Sequence, residues 1–133
     1  MLYFCIQNCI IEQLTKETMK KIRAAVVGYG NIGKFSVEAL EAAPDFEIAG
    51  VVRRQGDKDK PLELTPYAVV DDIKKLKDVD VAILALPTRL CPEAAADIVA
   101  LGINTVDSFD IHTSILDYRT KQMENCKKAG RVS

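Results

Sequence analysis

Residues 1–11 (MLYFCIQNCII) are apolar, but Gln7 and Asn8 break the run, and it shares no period with the rest of the chain. The segment lacks the basic start and small-residue cleavage site of a secretory signal, and it falls short of the ~20 apolar residues that span a bilayer. From Ile22 the pattern becomes regular. Residues 22–27 (IRAAVV) are a short β-rich run, as expected of a strand buried on both faces. Gly28-Tyr29-Gly30-Asn31-Ile32-Gly33 comes next without a gap, and then Phe35, Val37, Ala39, Leu40 and Ala43 recur at helical spacing until Pro44 stops the helix. Residues 46–52 (FEIAGVV) read as a second strand and residues 54–64 as a polar loop with Gly56 and Pro61. Residues 67–70 predict a short third strand, 71–76 a short helix and 79–86 (VDVAILAL) a central fourth strand closed by Pro87. Pro92 suits the first turn of a helix that Gly102 ends, and residues 103–106 give a fifth strand. Ser114 with Asp117 reads as a capping box for a helix ending near Gly130, after which Arg131-Val132-Ser133 would open a sixth strand.

Strands alternating with helices predict an α/β fold, a doubly wound parallel sheet of the Rossmann type, truncated at the start of the sixth strand. Met19 reads as the natural start, so residues 1–18 are an extension of uncertain origin and residues 19–133 a dinucleotide-binding domain. Deleting residues 1–18 should then shift stability by no more than ~0.5 kcal/mol. Unfolding midpoints of the two forms measure this; a clearly lower midpoint for the form starting at Met19 would mean that the extension packs on the domain.

Composition adds exclusions. With 133 residues, 48% of them apolar, the chain can build one core without disulfide or metal staples. Eighteen Lys and Arg against nineteen Asp and Glu leave a net charge of -1, so no basic excess exists to drive nucleic-acid binding. Cys5, Cys9, Cys91 and Cys126 form no C-x-x-C pair and His112 is the only histidine, so no metal site is assigned. Cys91 and Cys126 read as small apolar residues on helix faces in a reducing compartment, the cytoplasm.

The glycine turn carries the most chemistry. In a G-x-G-x-x-G between a strand and a helix, Gly28 permits the tight turn and Gly30 lets the backbone approach a pyrophosphate. Gly33 lets the helix pack close to the strand, and the helix N-terminus supplies N–H donors and a positive dipole. A cofactor with a free ribose 2′-hydroxyl usually meets an Asp or Glu about 20 residues further on. Val52-Arg53-Arg54 stands there instead. Two guanidiniums can make charge-assisted bonds to a 2′-phosphate, which favours NADP over NAD. Ligands bind at the carboxyl edge of such sheets. Ala85-Leu86-Pro87-Thr88 leaves the fourth strand there and Asp107-Ser108-Phe109-Asp110 the fifth. Thr88 offers a hydroxyl near the nicotinamide half of a cofactor. Asp110 reads either as an ordinary turn residue or as a carboxylate facing a substrate ammonium. No nucleophile–base pair is visible, so no residue is assigned a covalent catalytic role.

Residues 22–34 (IRAAVVGYGNIGK), 50–54 (GVVRR) and 106–112 (VDSFDIH) together resemble the amino-terminal domain of the meso-diaminopimelate dehydrogenases, over essentially all of residues 19–133. The resemblance implies NADP-dependent oxidation of the D-centre of meso-2,6-diaminopimelate to L-2-amino-6-oxopimelate and ammonia, within diaminopimelate and lysine metabolism. It implies that Tyr29, Gly30, Asn31 and Ile32 line the pyrophosphate and that Arg53 and Arg54 hold the 2′-phosphate. Ala85, Leu86, Pro87 and Thr88 with Ser108, Phe109 and Asp110 would border the nicotinamide, Asp110 also reaching the substrate. Many members carry Ser before the arginine pair and Cys-Met-Gly-Ser after the fourth strand. Here Val52 and Ala-Leu-Pro-Thr stand in those places, as in a subgroup with Val and Pro-Thr-Arg. Members continue into a substrate-binding and dimerisation domain, so the resemblance implies a homodimer when full-length, and cofactor binding without turnover for these 133 residues alone. Another two-domain dehydrogenase, of the dihydrodipicolinate reductase or aspartate/homoserine dehydrogenase type, could share the first fifty residues, though VDSFDIH speaks against it. A non-enzymatic nucleotide-sensing domain is the remaining alternative.

Overall fold

Every strand of the sheet is parallel, which places its carboxyl ends along one edge and requires cover on both faces. The structure, a computed structural model, describes residues 20–133; the extension 1–18, Met19, Cys5 and Cys9 lie outside the described residues. The five strands are β1 (Ile22–Val27), β2 (Phe46–Val52), β3 (Val69–Val70), β4 (Val81–Leu84) and β5 (Asn104–Asp107). Their order across the sheet is β3-β2-β1-β4-β5. The chain thus winds outward from β1 in one direction and then, from β4, in the other. The switch lies between β1 and β4, the place where such sheets open a crevice for ligands.

Alternation along β1 distributes the core. Ala24 and Val26 pack with Val37 and Leu40 of helix α1 (Asn31–Ala42), with Val51 and Val69, and with Leu64. Ala25 and Val27 face the other way, onto Ala82, Leu84 and Ile73, and onto Ala95 and Ile98 of helix α2 (Cys91–Ala100). Tyr118 of helix α3 (Ile115–Ala129) packs against that second cluster. The doubly wound sheet expected from the alternation of strands and helices is therefore present.

Several elements differ from the pattern in the chain. Phe35 is 65% exposed and Ala39 is exposed; the buried stripe of α1 is Gly33, Val37 and Leu40. The third strand is only two residues long, because the Tyr67 N–H donates back to the Leu64 carbonyl, just beyond a 3-10 turn (Leu62–Leu64), instead of joining the sheet. Leu64 is fully buried, and burying such a side chain contributes about 1.5–3 kcal/mol. One anchor of this kind orders the polar loop around it. The segment expected as a helix over 71–76 is a single 3-10 turn (Ile73–Lys75), whose Asp72 carboxylate accepts the Lys74 N–H at 2.9 Å. The fourth strand is shorter than its apolar run, and the fifth lies one residue later than expected. The capping box is absent: Ser114 makes no side-chain cap to α3, and its hydroxyl donates to the Ile111 carbonyl at 3.5 Å. Gly130 does end α3, in the left-handed conformation that glycine adopts without strain. Beyond it the Thr105 N–H donates to the Val132 carbonyl at 2.9 Å, so residues 131–133 lie along β5 without forming a strand.

Candidate cofactor and substrate site

The glycine turn leaves β1 at the switch point, and each glycine has a separate geometric reason. A Cβ on Gly33 would lie 2.2 Å from the Gly28 carbonyl oxygen, so helix and turn can approach this closely only without one. Gly28 has φ +96°, and a Cβ there would lie 2.4 Å from the Ala85 carbonyl oxygen at the end of β4. Gly30 is different. Nothing lies within 4 Å of its added Cβ, so its face is open to an incoming group. Gly30 is also the N-cap of α1, with no side-chain cap and no acidic residue in the first turn. An uncapped N-terminus with free N–H groups and a positive dipole end suits an anionic diphosphate. The residues present therefore fit a dinucleotide.

The end of β2 is tied to this turn, since the Gly28 N–H donates to the Val52 carbonyl at 2.8 Å. An irregularity between Ala24 and Ala25, opposite Ile48 and Gly50, resets the register so that Val27 pairs with Val52. Arg53 is next along the chain. Its N–H donates to the Val70 carbonyl, its Nη1 reaches the Asp59 carbonyl at 3.4 Å, and its Cζ lies 5.9 Å from the centroid of the Tyr29 ring. Arg54 is exposed, and neither arginine is in an ion pair among the described residues. Asn31 and Ile32 are exposed at the mouth, Ile32 by 58%.

The other half of the edge comes from the tails of β4 and β5. Ala85 closes against Gly28, its N–H donating to Val27 at 2.8 Å, and Pro87 opens a 3-10 turn (Thr88–Leu90). The Thr88 hydroxyl donates to Oδ1 of Asp110 at 2.7 Å, joining the two tails. Ser108 is exposed beside them, and the Phe109 ring packs against Tyr118 with centroids 4.5 Å apart. The structure thus brings Gly28, Val52 and Ala85 together at one end and Thr88 and Asp110 at the other. Beneath, Cys91 is fully buried, and its thiol contacts the Leu86 carbonyl at 3.7 Å. Burial, and then the charges of Asp107 and Asp110, push its pKa up, so it stays a thiol and is a poor nucleophile. Cys126 is also free.

Three further residues support the site, and two of them carry no mark in the sequence. Asp107 accepts the Phe109 N–H at 2.9 Å and the Tyr118 hydroxyl, which fixes the loop carrying Asp110. Burial and that carboxylate push the Tyr118 pKa well up, keeping it a neutral donor. Glu63 accepts the Tyr29 hydroxyl at 2.9 Å across 34 residues of chain. An Asp at the end of a strand is a usable signal for the first of these. Nothing local marks Tyr118 or Glu63.

Comparison with known proteins agrees with this architecture. The family described as the oxidoreductase family, NAD-binding Rossmann fold, matches residues 22–106, more than half of the chain. A Bacteroides fragilis protein named meso-diaminopimelate D-dehydrogenase is 64% identical over 115 residues, covering 86% of this chain and 38% of that protein. Among solved structures, the C. glutamicum DAP dehydrogenase in complex with DAP superposes with a TM-score of 0.71 at 31% identity, over 84% of this chain and 34% of that one. An engineered D-amino acid dehydrogenase bound to NADP+ gives the same score at 30% identity, over 86% and 36%. The chain therefore spans little more than a third of the length of the relatives it matches. Among the described residues no helix is long and apolar enough to cross a membrane.

Proposed function

Because the chain belongs to the NAD-binding Rossmann-fold oxidoreductase family, we propose that it is the NADP-binding part of a meso-diaminopimelate D-dehydrogenase. One observation carries this reading: the glycine turn, the Arg53–Arg54 pair and the joined Thr88–Asp110 tails meet along the carboxyl edge of one sheet. The whole protein would oxidise the D-configured centre of meso-2,6-diaminopimelate to L-2-amino-6-oxopimelate, releasing ammonia and NADPH. Residues 19–133 are assigned as the cofactor domain. Most substrate contacts and a homodimer interface are assigned to the part of the relatives' length that lies outside the match.

The residues divide the work by position. Gly28, Tyr29, Gly30, Asn31, Ile32 and Gly33 present the main chain and the α1 N-terminus to the diphosphate. Arg53 and Arg54 take the 2′-phosphate, and Val52 sets where they emerge. Ala85, Leu86, Pro87 and Thr88 with Ser108 and Phe109 border the nicotinamide. A bound nicotinamide cofactor would supply the hydride acceptor for the D-carbon, and the resulting substrate imine would be hydrolysed by water. Asp110 holds the substrate ammonium and orients that carbon, while Thr88 holds Asp110. One exposed carboxylate–ammonium pair contributes only ~0–1 kcal/mol, so Asp110 orients the substrate rather than capturing it.

The test uses the product of the whole reading frame that carries these residues. Meso-diaminopimelate with NADP should yield NADPH, whereas the LL-isomer, which has no D-centre, should not. Asp110→Ala should lower kcat/KM for the meso isomer by at least about tenfold. Turnover of dihydrodipicolinate, aspartate or homoserine in place of meso-diaminopimelate would replace this reading with another dehydrogenase, and nucleotide binding without any turnover would favour a sensing domain.

A further inference from the structure

Tyr29 does more in this structure than occupy a variable place in the glycine turn. Its ring lies beneath the Arg53 guanidinium, 5.9 Å from Cζ to centroid, and its hydroxyl donates to Oε1 of Glu63 at 2.9 Å. Glu63 sits in the 3-10 turn Leu62–Leu64, which is fixed to the core by the fully buried Leu64. A cation, an aromatic ring and a carboxylate are thus held in series, bridging the end of β2, the glycine turn and the loop before β3. The order matters. A carboxylate paired directly with Arg53 would compete with an anionic ligand, but no such ion pair exists among the described residues. Here a neutral ring stands between the two charges, so the carboxylate can orient the ring while the guanidinium keeps its charge. Burial and the Glu63 hydrogen bond push Tyr29 up to about 12, so it remains a neutral donor at neutral pH. The main chain of its own turn and the Tyr29 hydroxyl hold Glu63 below the usual glutamate range, so it remains an anionic acceptor.

We infer that Glu63, acting through the Tyr29 ring, is a positioning residue for Arg53 and so sets the preference for a cofactor carrying a 2′-phosphate. The inference rests on the assignment of Arg53 to that phosphate. It goes beyond it by placing a specificity determinant in a loop residue that reaches Arg53 through the Tyr29 ring.

The experiment measures dissociation constants of NADPH and NADH for the full chain by nucleotide fluorescence, in wild type, Tyr29→Phe, Glu63→Ala and Glu63→Gln. Tyr29→Phe keeps the ring and removes the hydroxyl; Glu63→Gln keeps an acceptor and removes the charge. Tyr29→Phe and Glu63→Ala should each weaken NADPH about three- to fivefold, the scale of one exposed cation–π contact, and leave NADH unchanged. Glu63→Gln should restore the wild-type ratio. Equal weakening of both nucleotides would make the contact merely structural and overturn the inference. Tighter NADPH binding in both Glu63 variants would make Glu63 a simple repelling charge and overturn it as well. A wild type with no preference would remove both the NADP assignment and this inference. A wild-type preference that survives Tyr29→Phe and Glu63→Ala would remove the inference alone.

Discussion

Gly33→Ala should destabilise the domain by about 3 kcal/mol, the upper end of the range for overpacking a tight site. The added methyl would stand 2.2 Å from a carbonyl oxygen of the glycine turn itself, and neither backbone can yield without moving α1 off β1. Gly28→Ala should be comparable, since a contact of 2.4 Å with the Ala85 carbonyl adds to ~1–2 kcal/mol for forcing a side chain into a left-handed backbone. Gly30→Ala separates folding from binding. Nothing lies within 4 Å of its Cβ, so the unfolding midpoint should move by less than ~1 kcal/mol, the scale of a changed N-cap. Dinucleotide affinity should nevertheless fall at least about tenfold, because the methyl occupies the open face through which a diphosphate meets the helix N–H groups. Melting curves and nucleotide titrations on the three variants check this. Wild-type melting of Gly33→Ala, or wild-type nucleotide affinity of Gly30→Ala, would refute the assigned roles.

The contrast among these glycines shows what the sequence makes legible. A short apolar run, a glycine turn and a helical pattern with no gap between them identify strand, turn and helix, because sterics and periodicity are local. Ile22–Val27 and Phe46–Val52 accordingly match to the residue. The stripe of α1 differs from its hydropathy pattern because Phe35 and Ala39 are apolar, while the position that matters most is Gly33, a residue that no hydropathy pattern counts as core. Residues 67–70 are β-formers, but the length of β3 depends on whether Tyr67 bonds to the sheet or back to Leu64, a tertiary choice. Ser114 and Asp117 have roughly the spacing of a capping box, yet the serine hydroxyl donates back to the Ile111 carbonyl and caps no helix N–H. In the site, the glycines, the arginine pair and Asp110 are visible as chemistry. Glu63 and Tyr118 are not, since each acts through a partner brought near only by the fold.

Removing both arginines should abolish the choice between cofactors. Each charge-assisted bond to a phosphate contributes ~1.5–3 kcal/mol before screening, so two of them on a partly exposed edge predict roughly hundredfold tighter NADP(H) than NAD(H) binding. The double variant Arg53→Ala/Arg54→Ala should bring the two dissociation constants within about threefold, mainly by weakening NADP(H). The single variants should be unequal. Arg53 is half-buried, lies over the Tyr29 ring and reaches the Asp59 carbonyl, so it meets a phosphate with little freedom left to lose. Arg54 is exposed and must be ordered by the ligand, which costs about 1.5–2 kcal/mol of side-chain entropy. Arg53→Ala should therefore remove the larger share of the preference, and Arg54→Ala the share that fades faster as salt rises. Titration of both cofactors at low and high ionic strength reads all of these at once. A preference that survives the double substitution would place the 2′-phosphate elsewhere on the edge, and equal affinities in the wild type would remove the NADP assignment.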